Sequence, residues 1–351
     1  MVDNDTAVEQ FFEQAVAATF QIFDQTTDVI CRDVLLAGIN LRLKFSNPLV
    51  PRYILPAIEQ IIVSPSGLPA AYTIFVWDSF STGIPLPKAP VKFTEIKFSG
   101  EITGFNNNRF QAAYFTHARM LSLLDMEKKI AIVCMADVRI LPGFEMACPL
   151  RSVFNGILKY HKISMVHAAA VGNADGAVLI AGHSGAGKSS TALRCLIGGL
   201  NYFGDDVCAI STIEEKPMVF SVYSSGKIHN KDLGKFANIK GTPINKKDIE
   251  YEKEIFFLTE AYKNYLPLRG NIKAVLMPCQ TVGKIGFSSA SSAGVLHVIG
   301  SSTAGLLPHT GNEVFLLLAS ILQKTPFYTF NLGSHPEEIP GAVNNIINSI
   351  V

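Results

Sequence analysis

The stretch that decides the fold is Ala177-Val178-Leu179-Ile180-Ala181-Gly182-His183-Ser184-Gly185-Ala186-Gly187-Lys188-Ser189-Ser190. An apolar run feeds a loop that satisfies G-x-x-x-x-G-K-[ST] at every fixed position. Residues 189–196 then carry Ala192, Leu193, Cys195 and Leu196 at helical spacing. Strand, glycine-rich loop and helix in that order make a phosphate cradle. The glycines let the backbone curl into a nest of N–H groups, Lys188 reaches the β and γ oxygens, and the Ser189 hydroxyl ligates Mg²⁺. The helix amino end adds unpaired N–H groups and the positive end of its dipole. The expected nucleotide-binding residues are Gly182, His183, Ser184, Gly185, Ala186, Gly187, Lys188, Ser189 and Ser190, with ATP and Mg²⁺ as cofactors.

Working outward, the next informative feature is Gly204-Asp205-Asp206-Val207, set between apolar stretches just after the loop helix. Its bland reading is an exposed turn. Its functional reading is stronger, because phosphoryl transfer to a hydroxyl needs one carboxylate near the metal and another to take the proton. Neighbouring residues on an extended backbone point to opposite sides, so the two aspartates are expected to take different tasks. On the other side of the loop, His167 lies in an apolar segment, 164–171, that reads as a strand; alone, it would pass for a satisfied core histidine.

Taken together, His167, the loop 182–189 and Asp205-Asp206 resemble, in order and spacing, the C-terminal catalytic domain of HPr kinase/phosphorylase. The resemblance implies an α/β P-loop kinase domain; the residues before it read, from their own patterning, as a β-rich α+β domain. The resemblance also implies Asp205 as general base toward a serine-type hydroxyl, His167 as its modulator, Lys188 as the catalytic cation, and Ser189 with Asp206 on the metal side. It is closest over residues 160–210. Beyond that, residues 222–227, 252–258 and 324–328 with Ile339-Pro340 are similar to HPr-kinase-like proteins of small biosynthetic clusters, some of which act on peptide precursors or free serine. The chain departs from the bifunctional enzyme at His183, usually Asp there, and at Ser190, often Glu. It also lacks the glycine-containing acidic signature, so neither phosphorylase activity nor HPr as acceptor is expected.

The remainder frames this reading. The 351 residues are 48% hydrophobic and 17% charged, with mean hydropathy +0.27, which suits a large core and excludes disorder. Thirty Lys and Arg against 29 Asp and Glu leave a net charge of +1, so no global field attracts a polyanion and no nucleic-acid partner is expected. No apolar run approaches the roughly 20 residues of a membrane span, and MVDNDTAVEQFFEQ is unlike a signal peptide; the expected compartment is the cytoplasm. Six widely spaced cysteines read as buried reduced thiols.

Residues 11–23 have helical periodicity, and 39–45, 71–77, 95–102, 110–116 and 129–134 read as strands, with Asn106-Asn107-Asn108 as a hairpin turn. Trp77 reads as a core or interface anchor, and the Ser-rich patch 288–302 as loop plus short helix. The pattern turns to α/β near 145, which divides the chain into an N-terminal recognition or assembly domain, 1–145, and a catalytic domain, 146–351. Lys227 and Lys253 are candidates for nucleotide or acceptor phosphate, Arg269 a weaker one, and His229 and His309 have no assigned role. The expected activity is transfer of the γ-phosphoryl group of ATP to a hydroxyl of a peptide, small protein or small molecule, with homo-oligomerisation open. The alternative is an ATP-binding regulatory module without transfer.

Overall fold

The computed structural model describes residues 4–64, 69–88, 95–244 and 253–350, and its contacts divide the chain into two units. The first comprises residues up to Pro56, Ile61–Tyr160 and Gly305–His309; the second comprises Ala57–Gln60, His161–Ala304 and Thr310 onward. Met1 to Asp3 and Glu252, quoted above, lie outside the described residues.

The first unit opens with α1 (Asn4–Gln25), whose Val8, Phe11, Phe12, Ala15 and Ile22 are buried at helical spacing. Strands β1 (Ile30–Leu36) and β2 (Ile39–Phe45) form a hairpin closed by Ala37 and Gly38, both with positive φ. After α2 (Pro51–Ile54) come β3 (Ile62–Val63), β4 (Tyr72–Asp78), α3 (Ser79–Thr82), β5 (Phe110–Phe115), β6 (Met120–Asp125), β7 (Ile130–Met135), α4 (Gly143–Ala147) and α5 (Arg151–Tyr160). The sheet order is β3-β1-β2-β4-β7-β6-β5, with β2, β4 and β7 parallel and β5, β6 and β7 an antiparallel meander.

Trp77 is a core anchor here, fully buried against α1, its indole N–H donating to Thr19 Oγ1 at 3.2 Å. The asparagines lie in the loop that leads into β5, where Asn107 Oδ1 accepts from the N–H groups of Arg109 and Phe110, but the hairpin read there lacks its first strand. The strand expected over 95–102 is reduced to isolated bridges at Ile96, Glu101 and Ile102. Helix α5 belongs to this unit, so the chain divides after Tyr160 and not near 145. The reason is packing against the meander: a Cβ on Gly156 would lie 2.1 Å from Gln111 Oε1 and 2.8 Å from Leu124 Cδ2, so a larger residue would have to displace those side-chain ends.

The second unit begins with β8 (Ser164–Val166), β9 (Ala169–Gly172) and β10 (Ala177–Ile180), followed by α6 (Lys188–Ile197). Then come β11 (Asn201–Gly204), β12 (Cys208–Ile213), β13 (Lys216–Phe220), β14 (Ser225–His229), β15 (Thr242–Pro243), β16 (Lys253–Phe257) and α7 (Thr259–Tyr262). The last elements are β17 (Arg269–Cys279), β18 (Gly286–Ser289), α8 (Ser292–Leu306), α9 (Asn312–Lys324), β19 (Phe327–Asn331) and α10 (Ile339–Ser349). The main sheet runs β11-β9-β10-β17-β13-β12-β8, with β19 and β18 added on β17; β14, β16 and β15 form a small sheet.

Strand β10 is apolar throughout because both its faces are covered. Val178 and Ile180 pack with residues of α6 and α10, while Ala177 and Leu179 pack with residues of α8 and α9. The unit is therefore layered helix, sheet, helix, and the whole protein is mixed α/β. The Ser-rich patch forms β18 and the 15-residue α8, longer than expected, because Val295, Val298 and Ile299 recur at helical spacing and are buried. Cys134, Cys148, Cys195 and Cys208 are buried thiols as read, whereas Cys31 and Cys279 are exposed. No helix among the described residues is long and apolar enough to cross a membrane.

Candidate functional site

The loop from Gly182 to Gly187 joins β10 to α6, with Gly185 at φ +80° and Gly187 at φ +104°, conformations that glycine adopts without strain. Helix α6 starts at Lys188 with no acidic residue of its own in the first turn, so its amino-end N–H groups and the positive end of its dipole face the loop. His183, Ser184 and Gly185 are exposed at the loop crest, while Ser189 and Ser190 are half-buried. Lys188 is 6% exposed and folds back, donating from Nζ to the carbonyls of Gly182 at 2.7 Å and His183 at 3.3 Å. Burial holds its ammonium below the usual lysine range, partly offset by Asp205 and Asp206.

The aspartate pair follows β11 and turns the chain into β12. Asp206 has φ +63°, and the Val207 N–H donates to the Asp205 carbonyl at 2.8 Å, a three-residue turn of the γ type. This turn, not the alternation of an extended strand, sends the two carboxylates apart. It is a strained conformation of the kind that persists where surrounding structure enforces it.

Asp205 Oδ1 accepts from Ser189 Oγ at 3.0 Å and from the Asp206 N–H at 2.8 Å, whereas Oδ2 is buried with no partner among the described residues. Burial, reinforced by the charge of Asp206, raises the Asp205 carboxyl well above the usual carboxylate range. Asp206 is ion-paired through Oδ2 with Lys227. Burial would raise its carboxyl too, but Lys227 and His167 outweigh that and hold it far below the ordinary value.

His167 lies in the bend between β8 and β9, not within one strand as expected, because β8 pairs with β12 and β9 with β10 and β11. Its backbone N–H donates to Thr303 Oγ1 at 2.9 Å, and its Nδ1 is buried without a partner. Burial lowers its pKa, against the pull of Asp206, so the ring is neutral near pH 7.

The predicted residues Lys188, Ser189, Asp205, Asp206 and His167 are thus gathered around one loop. The resemblance put Asp206 on the metal side; in the structure the Ser189 hydroxyl bonds to Asp205, and Asp206 is engaged with a lysine. Lys227 and Lys253 join this cluster on the paired strands β14 and β16, Lys253 close enough for its charge to act on both Asp206 and Lys188. Pairing across strands brought them in, and sequence spacing carries no sign of it. Arg269 is exposed at the start of β17, beside the Asn173–Gly176 turn at the opposite end of β10. His309 is buried in the first unit, its Nε2 3.2 Å from Ser152 Oγ.

The donor set suits Mg²⁺ with a polyphosphate. Ser189 Oγ and the Asp205 carboxylate are hard oxygens, and Mg²⁺ takes one or two such ligands while keeping waters and phosphate oxygens. Among the described residues no cluster of three or more His, Cys, Asp and Glu forms an all-protein metal cage. No protein-family model matches the chain, and no curated protein sequence does.

Proposed function

We propose that the chain is a Mg-ATP-dependent phosphotransferase whose acceptor is a serine-type hydroxyl. The observation that carries this reading is the asymmetry of Asp205, one oxygen tied to the loop serine and the other buried without a partner beside the phosphate cradle. ATP would lie with its phosphates on the amides of residues 183–188. Mg²⁺ would be held by Ser189 and the Oδ1 side of Asp205, where it neutralises phosphate charge.

The protein's own groups then divide the work. Lys188 exchanges the carbonyls of Gly182 and His183 for phosphate oxygens. Asp205 Oδ2 accepts the acceptor's hydroxyl proton as the oxygen bonds to phosphorus and the bond to the leaving diphosphate breaks. Asp206 fixes Lys227 beside the reacting groups, and neutral His167 keeps the turn in place.

The deciding experiment incubates the protein with γ-labelled ATP, Mg²⁺ and a lysate of its host and identifies what becomes labelled. An acceptor labelled by the wild type and not by Asp205→Asn supports the proposal. Mg-ATP bound by calorimetry, with no label in any extract, replaces it with a nucleotide-dependent binding module.

A further inference from the structure

The first unit holds a cavity of about 820 Å³, within the range of small-molecule sites. It opens where β4 and β7, adjacent and parallel, end: Ser79 and Phe80 follow the one, Ala136 and Asp137 the other, and all four line it. The chain leaves β4 for the far edge strand β5 and returns through β6 to β7, so the strand order reverses at this pair. In open sheets, crevices at the carboxyl ends of strands where the order reverses are where ligands bind.

Its lining is apolar on one side and cationic on the other. Phe80, Leu86, Ile96, Leu121 and Ile140 supply the walls, and Phe80 and Ile140 remain 59% and 56% exposed, an arrangement that leaves apolar surface in water. Asp137 is already neutralised by Arg139, which also stacks on Phe80 with its guanidinium 3.6 Å from the ring centre. That leaves Arg119 and Lys88 as excess positive charge. The Arg119 guanidinium and the Tyr114 hydroxyl have no partner among the described residues, and Ser79 Oγ is buried without one. Arg119 is presented from the turn between β5 and β6 at φ +45°, a conformation non-glycine residues seldom take.

We propose that this cavity is a binding site for a small organic anion, a carboxylate carrying an apolar chain or ring, with Arg119 pairing the carboxylate and the Phe80–Ile140 side covering the apolar body. The site is independent of the nucleotide reading, since none of its residues belongs to the second unit.

Calorimetric titration of the full chain with decanoate, decanol and inorganic phosphate tests it, without ATP. Decanoate is expected to bind more tightly than either of the others, and Arg119→Gln to weaken decanoate about tenfold, the loss of one charge-assisted hydrogen bond, while leaving decanol unchanged. Ile140→Asp, an exposed position that should not disturb folding, is expected to weaken decanoate as well. The proposal is overturned if decanoate does not bind, if Arg119→Gln binds it as the wild type does, or if phosphate alone binds as tightly.

Discussion

Glu145 in the first unit and Asp205 in the second are both buried carboxylates, 1% and 2% exposed, and their surroundings treat the charge in opposite ways. Glu145 is saturated: Arg151 holds both its oxygens and His117 Nε2 lies 2.7 Å from one of them. Burial would push its carboxyl up, but Arg151 and His117 outweigh that and hold it below the usual range. Asp205 is half satisfied, beside a like charge, and raised. A buried carboxylate that serves the fold has all its hydrogen bonds made; one left with an empty oxygen and an acidic neighbour is held ready for something the chain does not itself contain.

The largest expected effect falls on Asp205. Single-turnover transfer by Asp205→Asn, measured at saturating Mg-ATP, should drop by roughly two to four orders of magnitude, because the amide keeps the Ser189 contact but cannot take the proton; Mg-ATP affinity should fall as well, since the charge that would help hold Mg²⁺ is also lost. The wild-type rate should fall as pH drops and the base is protonated, and this limb should be missing in the variant. Equal rates for both proteins would end the base assignment.

On the structural side, Arg151→Met leaves Glu145 buried without its main partner and should cost about 3–5 kcal/mol in urea unfolding, with nucleotide affinity unaffected. The sign with pH follows from the depressed Glu145 pKa. Its stabilisation is present above the ordinary glutamate value and disappears as pH falls through the folded value. Next, Lys188→Ala should weaken Mg-ATP binding by about tenfold to a hundredfold, the worth of a charge-assisted contact to phosphate; unchanged affinity in a folded variant would remove the loop from the site.

The same contrast predicts opposite signs in stability. Asp205→Asn should stabilise the ligand-free protein at neutral pH by about 1–3 kcal/mol, because ionising a group with a raised pKa opposes folding. The gain should shrink as pH falls from the raised pKa toward the ordinary aspartate value. Glu145→Gln should destabilise in the same urea assay, and two variants moving alike would erase the distinction. The smallest effect is expected of Thr303→Val, which removes the acceptor of the His167 N–H. It should slow transfer about fivefold, from about 1 kcal/mol, with ATP affinity retained and with rescue by Thr303→Ser.

Legibility followed the range of the interactions. The loop and its flanking elements were readable because strand, glycines and helix are contiguous and each residue type has a local reason to be there. Strand β2 was readable from its alternation, since Leu41, Leu43 and Phe45 face the core. Strand β6 was not, because every residue from Met120 to Asp125 is buried and the stretch has no period of two. His167 read as mid-strand because nothing local marks the point at which a chain leaves one set of partners for another.

By itself, then, the sequence determined a phosphate-type loop, a mixed α/β chain and an acidic pair close behind the loop helix, all properties of neighbouring residues and their periodicity. Only the tertiary structure decided which aspartate meets Ser189, that Lys227 locks the other, and that Glu145 is spent on the fold while Asp205 is not. These depend on a γ-turn at Asp206, on the pairing of β14 with β16 and on the burial of each carboxylate, and burial and long-range pairing are fixed by residues far apart along the chain.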